Sequence, residues 1–192
     1  MDFPATTCEE LGLATDGDVF EAQQIVVLKP QPILDYVHRL YGLDPSLFSN
    51  LLFCRQGTKQ IRCLQRPTAL FPSPDLDRVG LDFLRIDMVT PRLSTPAALT
   101  WGSEATTNAI DLDRSLCKAY LRRQPLELDA SDLQHCTGRG FMIVRHRGHG
   151  LGLGFLESSD PGDQRFGHLR SLYPKAYAQE VQSISPFGNA HE

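Results

Sequence analysis

The segment from Gly140 to Glu157, GFMIVRHRGHGLGLGFLE, constrains this chain more than any other. GFMIVRHR is apolar and β-branched with some alternation, and LGLGFLE alternates leucine, glycine and phenylalanine, so two strands are predicted with a turn at Gly148 and Gly150. In that register Leu151, Leu153 and Phe155 share one face, while Gly152 and Gly154 leave the other face bare. A bare strand face marks close approach by another backbone or by a ligand. The first would be a barrel corner, the second an RNA backbone lying on the glycines. A phosphate loop is excluded by spacing: Gly148, Gly150, Gly152 and Gly154 never meet G-x-G-x-x-G, and no G-K-[ST] ending follows. Pro161 and Gly162 would also stop any following helix short of the roughly 10 residues a crossover needs.

The remaining pattern fits a mixed α+β chain. TCEE at Thr7 to Glu10 matches a helix capping box. QPILDYVHRLYG is a helix by its Ile33, Val37, Leu40 and Tyr41 stripe, with Pro32 in the first turn and Gly42 as the stop. Asp44 and Pro45 open a short helix. LLFC, KQIRCL and PTALF read as strands with a turn at Arg55 to Thr58; FPSPDLDRVG is a loop and GLDFLRIDMV a further strand. PRLSTPAAL divides the chain into a small α/β half over 1–94 and a barrel-forming half over 95–192, the latter starting with a helix capped at Thr95-Pro96. In that second half NAIDL, PLEL, GFMIVRHR, LGLGFLE and GHLRSL are strands, and DRSLCKAYLRR is a helix burying Leu116, Ala119 and Tyr120.

Charge narrows the function. A net charge of −4 excludes a protein that coats nucleic acid with a wholly basic surface. Two stretches are nevertheless basic and free of acids: Pro45 to Pro74, with Arg55, Lys59, Arg62 and Arg66, and Leu133 to Leu156, with Arg139, Arg145, Arg147, His135, His146 and His149. These either form a patch or are strand edges protected by charge. The 5 cysteines include no C-x-x-C pair, so reduced thiols are expected rather than a disulfide framework or a zinc site. No apolar run reaches the roughly 18 residues of a membrane span, and MDFPATTCEELG is acidic where a signal peptide is basic; a cytoplasmic location is expected.

Catalytic motifs are missing. G-x-S-x-G, H-E-x-x-H and the D-x-D-x-D-G loop do not occur, and His146, His149 and His168 are irregularly spaced. Cys136 reads as a structural cysteine, Asp113 as a helix N-cap and Trp101 as a packed seam residue. No catalytic residue, cofactor or metal is therefore expected.

PAALTWGSEATTNAIDLDRSLCKAYLRRQPLEL, GFMIVRHRGHGLGLGFLE and LRSLYPK, in that order, resemble the C-terminal RNA-binding part of Sun-family RNA cytosine-5 methyltransferases. The resemblance implies a PUA-like barrel. The plan of an α/β half before such a barrel, with YGLDPSLFSN, is similar to that of pre-PUA plus PUA proteins of ribosome biogenesis, and the likeness runs from about Gln31 to Lys175. The large methyltransferase domain of the Sun family has no room in this sequence, and His135-Cys136-Thr137-Gly138 lacks the Asp and Pro of its cysteine motif. The expectation is a non-catalytic RNA-binding accessory protein for rRNA or tRNA, in RNA modification or ribosome biogenesis. The alternative is a protein-interaction module docking on an RNA-modifying enzyme or a ribosomal protein. The candidate RNA-binding residues are Arg122, Arg123, Arg145, Arg147, His149, Gly152 and Lys175.

Overall fold

The first helix is set by its ends. Pro30 has no N–H to leave unpaired and a φ already suited to a first turn, and Gly42, at φ 64°, closes the helix by donating its N–H to His38 O. The computed structural model, which describes residues 19–20, 25–66, 79–158 and 166–178, accordingly has α1 over Pro30–Tyr41. Its apolar stripe, Ile33, Leu34, Val37, Leu40 and Tyr41, is buried. Asp44 then accepts from Ser46 N at 2.8 Å and caps a 3₁₀ turn, Pro45–Phe48.

Six short strands follow one another in both sequence and space. They are β1 (Val19–Phe20), β2 (Ile25–Leu28), β3 (Leu51–Gln56), β4 (Gln60–Gln65), β5 (Leu81–Arg85) and β6 (Arg92–Leu93), each antiparallel to the next. A second sheet of five strands uses β7 (Ala109–Asp111), β8 (Leu126–Asp129), β9 (Gly140–His146), β10 (His149–Ser158) and β11 (Phe166–Ser171), in the order β7-β9-β10-β11-β8. Only β7 runs parallel to its neighbour in that sheet, β9. Helix α2 (Thr95–Trp101) joins the sheets, and α3 (Arg114–Leu121) leads from one edge strand of the second sheet to the other. The fold is thus mixed α+β with two sheets, one of them a curled half-barrel. TCEE and PTALF lie outside the described residues.

The two halves meet over a shared core. Ala97 and Ala98 of α2, with Ile143 and Leu153 of the second sheet, are buried among Ile33, Val37, Phe53, Phe83 and Leu84 of the first half. Trp101 stacks edge-on against Phe48 and Phe83, with centroids 5.3 and 5.5 Å away. Asn108 ties the junction further. It is buried in the left-handed region at φ 50°, donates Nδ2 to Leu40 O, and accepts at Oδ1 from Thr137 N and Oγ1. Helix α2 lies between the halves and packs against both, on β5 of the first and on β10 of the second. Its cap is Ser94, which accepts from Ala97 N, one residue earlier than expected.

The hairpin also differs from expectation in register. Its turn is Arg147-Gly148, both with positive φ (52° and 77°), between the partners His146 and His149. Two positive φ values match the right-handed twist of the flanking strands. Gly150 belongs to β10, and a bulge between Gly150 and Gly152 breaks the alternation, so Leu151 packs with the second core and Leu153 with the first. The second core holds Ile110, Leu112, Cys117, Tyr120, Leu126, Leu128, Met142, Val144, Leu156 and Leu169. Here α3 covers the sheet: Tyr120 donates its hydroxyl to Leu153 O at 2.9 Å, and Ser171 Oγ donates to Tyr120 O.

Candidate nucleic-acid interface

A cation can meet a phosphate only if the fold leaves its charge turned outward. Arg145 is turned inward. Its guanidinium pairs with Asp111 at 2.7 Å and donates to the carbonyls of Ala105 and Ser103 at 2.9 and 3.3 Å, with its side chain only 14 % exposed. Arg62, from the other acid-free stretch, behaves alike: it is buried, pairs with Asp82 at 2.7 Å and donates to Val79 O. Sequence distance hides these acids, because each lies on a neighbouring strand. Arg147 does not share a strand face with Arg145, since it sits in the turn, exposed.

The glycines are approached by the protein itself. Gly152 is buried at φ 137°, and a Cβ there would stand 2.9 Å from the Tyr120 hydroxyl. That corrects its assignment to a ligand groove: its bare side accommodates the helix α3. A Cβ at Gly154 would stand 2.7 Å from the Leu169 side chain, and one at Gly150 would run into the Ala98 carbonyl oxygen of α2. The backbone that comes close to this hairpin is thus α2, and it does so at Gly150.

The other candidates divide. Arg123 is half-buried at φ 60° and donates its guanidinium to Tyr173 O. Arg122, His149 and Lys175 are exposed. What sequence reading missed is the exposed face of the helix between them, which adds Arg114 and Lys118 to Arg122. Arg114, Lys118 and Arg122 are spaced by four on α3, are all exposed, and have no ion-pair partner among the described residues. They form one cationic row, each about 6 Å of helix rise from the next. The hairpin tip stands at the start of this row, because Gly148 N donates to Asp111 Oδ1 and His146 Nδ1 lies 2.7 Å from Leu112 O. Lys175 stands at its end, two residues beyond the Tyr173 carbonyl held by Arg123. Arg147, Arg114, Lys118, Arg122 and Lys175 are therefore carried by one helix and the two segments that flank it. The signal in sequence was the spacing of Arg114, Lys118 and Arg122 once DRSLCKAYLRR is taken as a helix.

The described cysteine thiols are shifted away from the thiolate. Burial, and then the neighbouring Asp132, push the Cys136 thiol up to about 11, away from the thiolate. Burial likewise raises Cys54, Cys63 and Cys117. Asp113 accepts from Leu116 N at 2.7 Å as the N-cap of α3. Among the described residues no group of three or more His, Cys, Asp or Glu side chains could hold a metal ion, and no helix is long and apolar enough to cross a membrane. No family model matches the chain, and no curated protein matches it.

Proposed function

We propose that this is a non-catalytic RNA-binding protein for structured RNA, rRNA or tRNA, serving RNA modification or ribosome biogenesis through a PUA-like second half. The observation that carries this reading is the row Arg114, Lys118 and Arg122, flanked by Arg147 and Lys175, in a chain whose net charge is −4. A net-negative protein that concentrates cations without ion-pair partners among the described residues on one short helix favours a polyanion at that place and disfavours it elsewhere. A helix row with this rise suits the phosphates that border a groove of folded RNA, where readout is by shape and backbone.

The test is a titration of a tRNA transcript against the protein at several salt concentrations. Neutralising the row with Arg114→Gln, Lys118→Gln and Arg122→Gln should weaken binding and flatten the plot of log affinity against log salt by about 2 to 3 units. Unchanged affinity and slope would reject the row as the RNA surface and favour the protein-interaction alternative.

A further inference from the structure

On the side of the second sheet away from α3, three strands line up a row of aromatic and cationic side chains. Phe141 on β9 pairs with Phe155 on β10, and Phe155 pairs with Arg170 on β11, so the three share a face. The two rings meet edge-on with centroids 5.1 Å apart. The guanidinium of Arg92 lies 5.4 Å from the Phe141 ring centre, and those of Arg139 and Arg170 lie 5.6 and 5.4 Å from that of Phe155. Further along the same face come Ile143 and Leu153, which are buried in the first core. Phe141 and Phe155 are only half-buried, and Arg139 and Arg170 are exposed.

We propose that this row is a second site, one that takes an unpaired RNA base by stacking and the adjoining phosphate by its arginines. Two arginines over a single ring repel one another, and the one acid ion-paired here among the described residues, Glu157, reaches Arg170 only at 3.8 Å. Arg92, Arg139 and Arg170 together outnumber that one carboxylate, so positive charge is in excess at the site. An anion between the guanidiniums relieves that excess. A nucleotide supplies the anion together with a flat π face, which stacks on either a guanidinium plane or a phenyl ring. Rows of this composition across a sheet suit unstacked bases, whereas duplex RNA keeps its bases inside. The inference deepens the RNA-binding reading and rests on it for the kind of polymer, but the residues are separate from the α3 row.

The experiment uses two probes, a fluorescent single-stranded oligouridylate of about 6 nucleotides and an RNA duplex of about 16 base pairs. Phe155→Leu should weaken oligouridylate binding at least about tenfold while leaving its salt slope and the duplex affinity unchanged. Phe155→Tyr, which keeps the ring, should bind like the parent. Arg139→Gln with Arg170→Gln should weaken the oligouridylate and flatten its salt slope. An oligouridylate that the parent fails to bind, or that Phe155→Leu binds as well as the parent, overturns the site even if the duplex still requires α3. Displacement of the oligouridylate by an oligoglutamate peptide, equally in the parent and in Phe155→Leu, would also overturn it, since the site would then read charge alone. Conversely, a duplex that the parent does not bind defeats the α3 reading while the oligouridylate arm still decides this one.

Discussion

The hairpin β9-β10 and the helix α3 look equally basic in sequence, yet the fold uses their charges in opposite ways. On the hairpin, Arg145 is enclosed by Asp111 and two carbonyls, and the glycines admit α2 and Tyr120. On the helix, Arg114, Lys118 and Arg122 stand in solvent, with no ion-pair partner among the described residues. A strand in a sheet has neighbours on both sides, so an acid on the next strand, here Asp111 on β7, can reach its arginine. A helix lying on a sheet has one face with no neighbour at all, and charges placed there stay available. Changes at Arg145 and at the hairpin glycines should therefore act on folding, and changes at the helix row on binding.

The largest effect is expected where backbone meets backbone. Gly150→Ala would press a methyl group into the Ala98 carbonyl of α2 and should cost about 3 kcal/mol in a urea melt. A cost below about 0.5 kcal/mol would mean that α2 does not pack this closely. Arg145→Leu comes next, at about 2 kcal/mol, because it strands the buried Ala105 carbonyl and leaves Asp111 without its partner. Asp111→Asn should cost less than half as much, since that side chain is already 45 % exposed. Gly148→Ala should cost about 1 kcal/mol through its φ of 77° alone, for nothing lies within 4 Å of an added Cβ. A melt that ranks Gly148→Ala above Gly150→Ala would break the contrast between strain and packing.

Much of the fold could be read in the residues. Pro32, Gly42 and the stripe between them marked α1, which in fact starts at Pro30, and Asp113 marked the start of α3, whose buried side chains are Tyr120, as read, and Cys117 in place of Leu116 and Ala119. The strands of the hairpin were also legible, but their register was not. The bulge at Gly150/Gly152 adds one residue to β10, and a single residue reverses which face each side chain takes. That reversal sent Leu151 to the second core, and the turn at Arg147-Gly148 separated Arg147 from Arg145. The site was harder still. Arg122, Arg147, His149 and Lys175 are exposed, but Arg145 and Gly152 failed as ligand contacts because their partners, Asp111 and Tyr120, lie 34 and 32 residues away. Phe141 and Phe155 met for a similar reason, since only the true register pairs them.

The smallest expected effect on stability is also the one that separates the two regions most sharply. In α3, Lys118 stands one turn from Arg114 and one turn from Arg122, so two like-charge pairs repel along the helix by a few tenths of a kcal/mol each. Lys118→Glu turns both into attractions, and the pair from Glu at 118 to Arg122 has the more favourable order. A negative charge toward the C-terminal half of a helix is mildly unfavourable, which trims the gain. The variant should therefore be more stable than the parent by about 0.5 kcal/mol at low salt, with the difference vanishing near 1 M salt as screening removes it. The same substitution should weaken binding of a tRNA transcript, because it removes one phosphate partner and adds a repulsion. Opposite signs in the two measurements would mean that the row is kept against the interest of the fold, as a binding surface requires. A variant that is more stable and binds as well as the parent would reduce the row to ordinary solvated charge.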